Sequence, residues 1–230
     1  MEREKLESQI REVYTTLMYG LLKLDKRISA LEAGGGGGGG GDAASMTLKY
    51  YTAQNSGSYT VDENGVYMII CATSYGSTHT VTIPQGATII DEQEDYDFAY
   101  ANGRGIEVKI VRLSAGDVVS IEQTWETWIG RAFAIVKLNN ITIDQNESFD
   151  AVDDGTKTVT VTAGTKRLVL GVAIGSSVRN DSNISESEIF LGGAWGNGAL
   201  VALYVTDSAG TFSFYGYDGG LASIGVWDVT

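Results

Sequence analysis

The sequence predicts a mainly β protein: an N-terminal coiled-coil helix, a polyglycine linker and two tandem β-sandwich (jelly-roll-like) domains. Three observations predict it. An apolar seam with heptad spacing runs through residues 2–33, eight consecutive glycines fill 34–41, and the remainder alternates short apolar runs with turn residues. The expected division is a helix at 1–33, a linker at 34–45, a first sandwich at 46–138 and a second at 139–230.

The helix rests on Leu6, Ile10, Val13, Leu17, Leu21, Leu24, Ile28 and Leu31, spaced 4, 3, 4, 4, 3, 4 and 3 residues apart. That is a heptad seam with one extra four-residue step, a stutter, between Leu17 and Leu21. A narrow stripe on a single helix is marginal by itself. The stripe must pack on the chain's own β part or on copies of itself, and its narrowness and the glycine run that follows favour copies of itself. Ile and Leu mix at both core positions, which leaves two strands and three equally open. Gly20 loosens the middle of the helix.

The glycines at 34–41 span roughly 26 Å if fully extended and about 15 Å as a coil. A loose tether and a bundle of closely apposed chains both suit them. Collagen is excluded, because the run has neither the Gly-X-Y period nor prolines.

Strands are expected at 47–52, 58–62, 65–74, 78–83, 105–113, 117–125 and 131–138, separated by "DENG", "PQGA", "ANGRG" and "SAGD". Alternation with period two is clear in "THTVTI" and "IEVKIV". The second half has the same style without repeating the letters, with strands at 157–162, 166–175, 199–206, 211–216 and 222–229. Many short strands at such spacing indicate sandwiches. "NESFDAVDDGTK" reads as a loop or a hairpin entry, and "IGSSVRNDSNISESE" as a long polar loop.

Composition narrows the function. The net charge is −13, and residues 1–33 balance six basic against six acidic side chains, so the acidic excess lies in 34–230. Such a surface repels a phosphate backbone, which argues against nucleic-acid binding. Glycine, at 30 residues, is well above the roughly 7% of an average chain, which suits sheets joined by tight turns. The N-terminus is charged and periodic, unlike a signal peptide, and no apolar run approaches the ~20 residues of a membrane span. A soluble protein without membrane insertion is expected. The one cysteine, Cys71, lies in the apolar run "GVYMIICATS" and reads as a buried thiol.

Two stretches carry a family resemblance. "GSYTVDENGVYMIICATS" followed by "VRLSAGDVVSIEQ" resembles the complement-type and tumour-necrosis-factor-like jelly roll, through Gly65, Val66 and Tyr67 and then Leu113, Ala115, Gly116 and Asp117. That family is a compact trimer preceded by a stalk, so the resemblance implies three chains where the heptads allow two or three. The C-terminal "ALVALYVTDSAGTFSFYGYDGGLASIGVWDV" looks like small sandwiches of bacteriophage fibre and appendage proteins, as does the layout of coiled coil, glycine run and β modules. The resemblance implies a structural component of a bacteriophage virion: a homotrimeric head or tail fibre, made in the host cytoplasm. Its N-terminal helix would dock on a capsid or tail protein. An adhesin recognising a host-surface glycan or protein is the alternative.

Little catalytic chemistry is expected, and the resemblance carries no catalytic residues. His79 is the only histidine and sits in an alternating strand, as a sheet-face residue would. One histidine and one cysteine offer no zinc-ligand spacing. Two acidic clusters stand out, Asp91, Glu92, Glu94, Asp95 and Asp97, and then Asp144, Glu147, Asp150, Asp153 and Asp154. They read as solvated loops, with calcium as the alternative and a glycosidase pair as a weaker one; neither matches an EF-hand. No cofactor is otherwise expected. Trp125 and Trp128 in "TWETWIG" cannot both face one way on a regular strand. Trp195 and Tyr217, in or beside loops, are candidate glycan contacts.

Overall fold

A computed structural model describes residues 43–54, 56–73, 79–97, 104–123, 131–175, 177–183, 189–191 and 198–230. The helix and glycine-linker assignments lie outside the described residues. Residues 43–230 form one compact unit. Among the described residues every regular element is a strand, and every pairing is antiparallel.

The first half supplies β1 (Ser45–Thr52), β2 (Ser56–Thr60), β3 (Gly65–Thr73), β4 (His79–Thr82), β5 (Thr88–Asp97), β6 (Arg104–Leu113), β7 (Val118–Gln123) and β8 (Arg131–Asn139). They form one sheet ordered β1-β8-β3-β6-β5 and a smaller one ordered β2-β7-β4. Side-chain alternation explains how these two pack. On β3, Tyr67, Ile69 and Cys71 point toward the small sheet, where they meet Val119 and Ile121. The thiol is buried in that core.

The second half supplies β9 (Ile143–Val161), β10 (Arg167–Gly175), β11 (Ser177–Asn180), β12 (Ile189–Leu191), β13 (Gly198–Thr206) and β14 (Gly210–Val229). The sheet runs β11-β14-β10-β13-β12, with β9 also paired to β14. β14 is a single 20-residue strand where the sequence suggested two. Its register with β9 breaks between Gly216 and Leu221, so residues 210–216 and 221–229 occupy two layers of a folded-over sheet. Phe212 and Phe214 from the first layer pack on Val169, Leu200, Ala202 and Tyr204 of β10 and β13. The fold-over needs glycine: a Cβ on Gly216 or Gly220 would strike backbone carbonyls of Leu221 or Ile174.

The two halves share a third core. Met68, Ile70 and Ala72 of β3 join Ala134 and Val136 of β8, and meet Leu170, Val172 and Val201 from β10 and β13. Strands β3, β8, β10 and β13 are thus apolar on both faces, because each lies between two cores. Trp227 of β14 is fully buried here, and its indole N–H donates to Asp91 of β5 at 2.6 Å, tying one half to the other. Thr142 and Thr230 exchange two backbone hydrogen bonds that pin the C-terminus beside the junction.

Candidate functional site

The acidic clusters lie on strands. Asp91, Glu92, Glu94 and Asp95, with Asp97 at its end, lie on β5, the edge of the large first-half sheet. Asp144, Glu147, Asp150, Asp153 and Asp154 lie on β9, which among the described residues pairs with β14 alone. The segment 146–157, read from sequence as a loop or hairpin entry, is therefore strand. An exposed edge gains nothing from apolar alternation, and charge on it blocks pairing with another chain. Several carboxylates also hold specific partners. Asp91 accepts from Gln93 at 2.9 Å as well as from Trp227. Glu92 pairs with Lys109 and Asp150 with Lys157. Glu147 takes Arg167 through both oxygens, at 2.9 and 3.1 Å. Asp154 accepts from the Gly220 amide at 2.8 Å. Among the described residues no group of three or more His, Cys, Asp or Glu side chains is arranged to hold a metal.

His79 sits at the start of β4 with its side chain fully buried. Its Nδ1 lies 3.1 Å from Thr73 Oγ1 and its Nε2 lies 3.0 Å from Glu107 Oε2. Lys109 reaches the other Glu107 oxygen at 2.7 Å. Burial pushes the Glu107 carboxyl up, but the bonds from His79 and Lys109 outweigh it and hold the group below its ordinary value. Lys109 shows the mirror case: burial lowers it, while Glu107 and Glu92 raise it above the ordinary lysine value. A hydroxyl, an imidazole and a carboxylate in sequence can relay protons, but the chain ends at the buried Thr73 and reaches solvent only through the 10% exposed Glu107 side chain. Its mechanical effect is to clamp the short strand β4 onto β3 and β6. The strand-face placement of His79 was legible in the sequence; its partners, 6 and 28 residues away, were not.

The most accessible chemistry lies on the outer layer of the second half. "TFSFYGY" alternates, with Phe212 and Phe214 inward and Ser213, Tyr215 and Tyr217 outward. Tyr215 and Tyr217 stand nearly parallel, 11° apart, with centroids separated by 6.0 Å. Register puts Arg179 of β11 and Thr156 of β9 on either side of Tyr215, and Ser177 beside Tyr217. The Arg179 guanidinium lies 4.6 Å from the centre of the Tyr215 ring and is paired with Asp181. Thr158 and Ser213 hydroxyls lie 2.9 Å apart on the same face. Tyr217 is 52% exposed.

Of the glycan-contact residues expected from sequence, Tyr217 is therefore an exposed strand residue joined by Tyr215 and Arg179, and Trp195 lies outside the described residues. The seam residues Leu6 through Leu31, and Trp125 and Trp128, lie outside them too. Arg179 was missed because only strand register brings it to the tyrosines.

No protein-family model, no curated protein and no solved structure matches the chain.

Proposed function

We propose that the protein is a structural component of a bacteriophage virion, a homotrimeric head or tail fibre or spike that projects from the particle. The observation that carries this reading is the order of parts along the chain: an apolar stripe with heptad spacing, eight glycines and a β body. The seam associates three chains and docks on a capsid or tail protein, and the glycines decouple that bundle from the body. The strand order β1-β8-β3-β6-β5 against β2-β7-β4 supports the jelly-roll reading of residues 46–138. The acidic edges of β5 and β9 keep neighbouring bodies from pairing by their sheets. The exposed Tyr217 favours a second reading, an adhesin in which the body also touches the host surface.

Sedimentation equilibrium of the full chain tests the assembly. A trimer at micromolar concentration is expected, and Leu17→Lys with Leu24→Lys should weaken it, because charges in the seam cannot be desolvated. A monomer overturns the reading. Immunogold labelling of intact particles tests the location, and unlabelled particles refute it.

A further inference from the structure

The outer face formed by the C-terminal part of β9, the N-terminal part of β14 and β11 contrasts with the rest of the body. The edges of β5 and β9 are acidic, whereas this face carries Thr156, Thr158, Thr160, Thr211, Ser213 and two phenol rings. Its carboxylate, Asp181, is paired with Arg179. Among the described residues the face is thus hydroxyl-rich and aromatic, with the Arg179 and Asp181 charges compensating each other, within a chain of net charge −13.

We propose that this face binds a neutral oligosaccharide, with one sugar ring stacked on Tyr217 and the hydroxyl rows bonding its neighbours. The inference deepens the host-contact reading above and rests on it. Three features select that occupant. The exposed tyrosine offers a flat apolar surface with few rotatable bonds, so little conformational freedom is lost on contact. Its orientation is prepared in advance, since Asp181 holds Arg179, Arg179 covers Tyr215 and Tyr215 lies parallel to Tyr217. The Thr158–Ser213 and Thr160–Thr211 pairs, 2.9 and 3.4 Å apart, leave donor and acceptor capacity to offer a polyhydroxylated ligand. A polyanion is disfavoured by the net charge, and an apolar partner would have to strip water from the hydroxyl rows.

The test is calorimetric titration of the full-length chain with maltohexaose, cellohexaose, chitohexaose, laminarihexaose and mannohexaose, and with alginate and polysialic oligomers as acidic counterparts. At least one neutral hexasaccharide should bind. Tyr217→Ala should weaken that binding about tenfold or more, as loss of an aromatic anchor does. Tyr217→Phe should keep it within about threefold, since the stacking ring stays. Binding of acidic oligomers alone, binding indifferent to Tyr217→Ala, or no binding by the parent overturns the proposal. Sedimentation of the same samples separates the two readings. A trimer that binds no neutral probe overturns the sugar face and leaves the fibre standing; a monomer that binds one does the reverse.

Discussion

Gly171 probes the folded-over second half most directly. It sits mid-strand in β10, paired to Ala202 and Ile224, and faces the layer that carries the tyrosines. A Cβ added there would approach three carbons of the Phe214 ring inside the 3.0 Å that real Cβ atoms keep. The ring is fully buried beside Phe212 and Tyr204, so it has no open space to enter. Overpacking of this kind costs about 1–3 kcal/mol. Replacing glycine returns about 0.4–1 kcal/mol through the unfolded chain. With three ring carbons in the way the upper part of that cost, about 2–3 kcal/mol, applies, so Gly171→Ala is expected to destabilise by about 1–2.6 kcal/mol, a fall in Tm of roughly 2–10 °C for a unit of this size. Phe214→Ala alone should cost about 3–5 kcal/mol. The double variant should be no less stable than Phe214→Ala, because the new methyl enters space the ring has left. That non-additivity, about 1–2.6 kcal/mol, is the signature of direct contact. Denaturant unfolding at one fixed protein concentration measures it, holding any contribution from association constant. Gly171→Ala within 0.5 kcal/mol of the parent, or strict additivity, would refute the packing of Phe214 over β10. It would also remove the support on which Tyr215 and Tyr217 stand.

Two further outcomes are expected. Glu107→Ala should cost about 1–3 kcal/mol at neutral pH, because the buried His79 loses its bond to the carboxylate and Lys109 keeps Glu92 but loses its second carboxylate. The Glu107 carboxyl is depressed in the folded chain, so its contribution is present above the unfolded value of about 4.3 and is lost as pH falls through the folded value. The stability gap between parent and variant should therefore narrow below about pH 4, and a gap unchanged down to pH 2 would contradict the clamp. Ser223 is buried in the shared core, and its hydroxyl has no hydrogen-bond partner among the described residues. Ser223→Ala should raise stability by about 1 kcal/mol in the same unfolding assay; a loss instead would mean that the hydroxyl is satisfied, for example by a buried water.

Strand identity was legible in the long segments with one or both faces apolar, whereas the short β11 fell within the expected polar loop and β12 was not anticipated. "THTVTI" and "IEVKIV" alternate, and the corresponding strands β4 and β6 appear where expected. β5 and most of β9 were illegible for a physical reason. They are edges, and the charges that keep an edge from pairing also erase the apolar pattern that reveals a strand. The shared core left a signal that could have been used. "GVYMIICA", "RAFAIV", "RLVLGVAIG" and "GALVALYV" are continuous apolar runs rather than alternating ones, as strands covered on both faces must be. They imply stacked sheets in contact, not two sandwiches that each end in water.

By itself, the sequence determined most of the segments that extend in the interior, where apolar side chains must hide, and the order of apolar seam, glycines and strand-rich remainder along the chain. Those follow from periodicity, which is local along the chain. Tertiary structure alone decided that Trp227 reaches Asp91 across 136 residues, that His79 bonds Glu107, and that Arg179 covers Tyr215. Each of these depends on strand register and on how the sheets stack. Register is set by the summed burial of whole strands, and a slip of one residue would turn every one of these side chains to the opposite face.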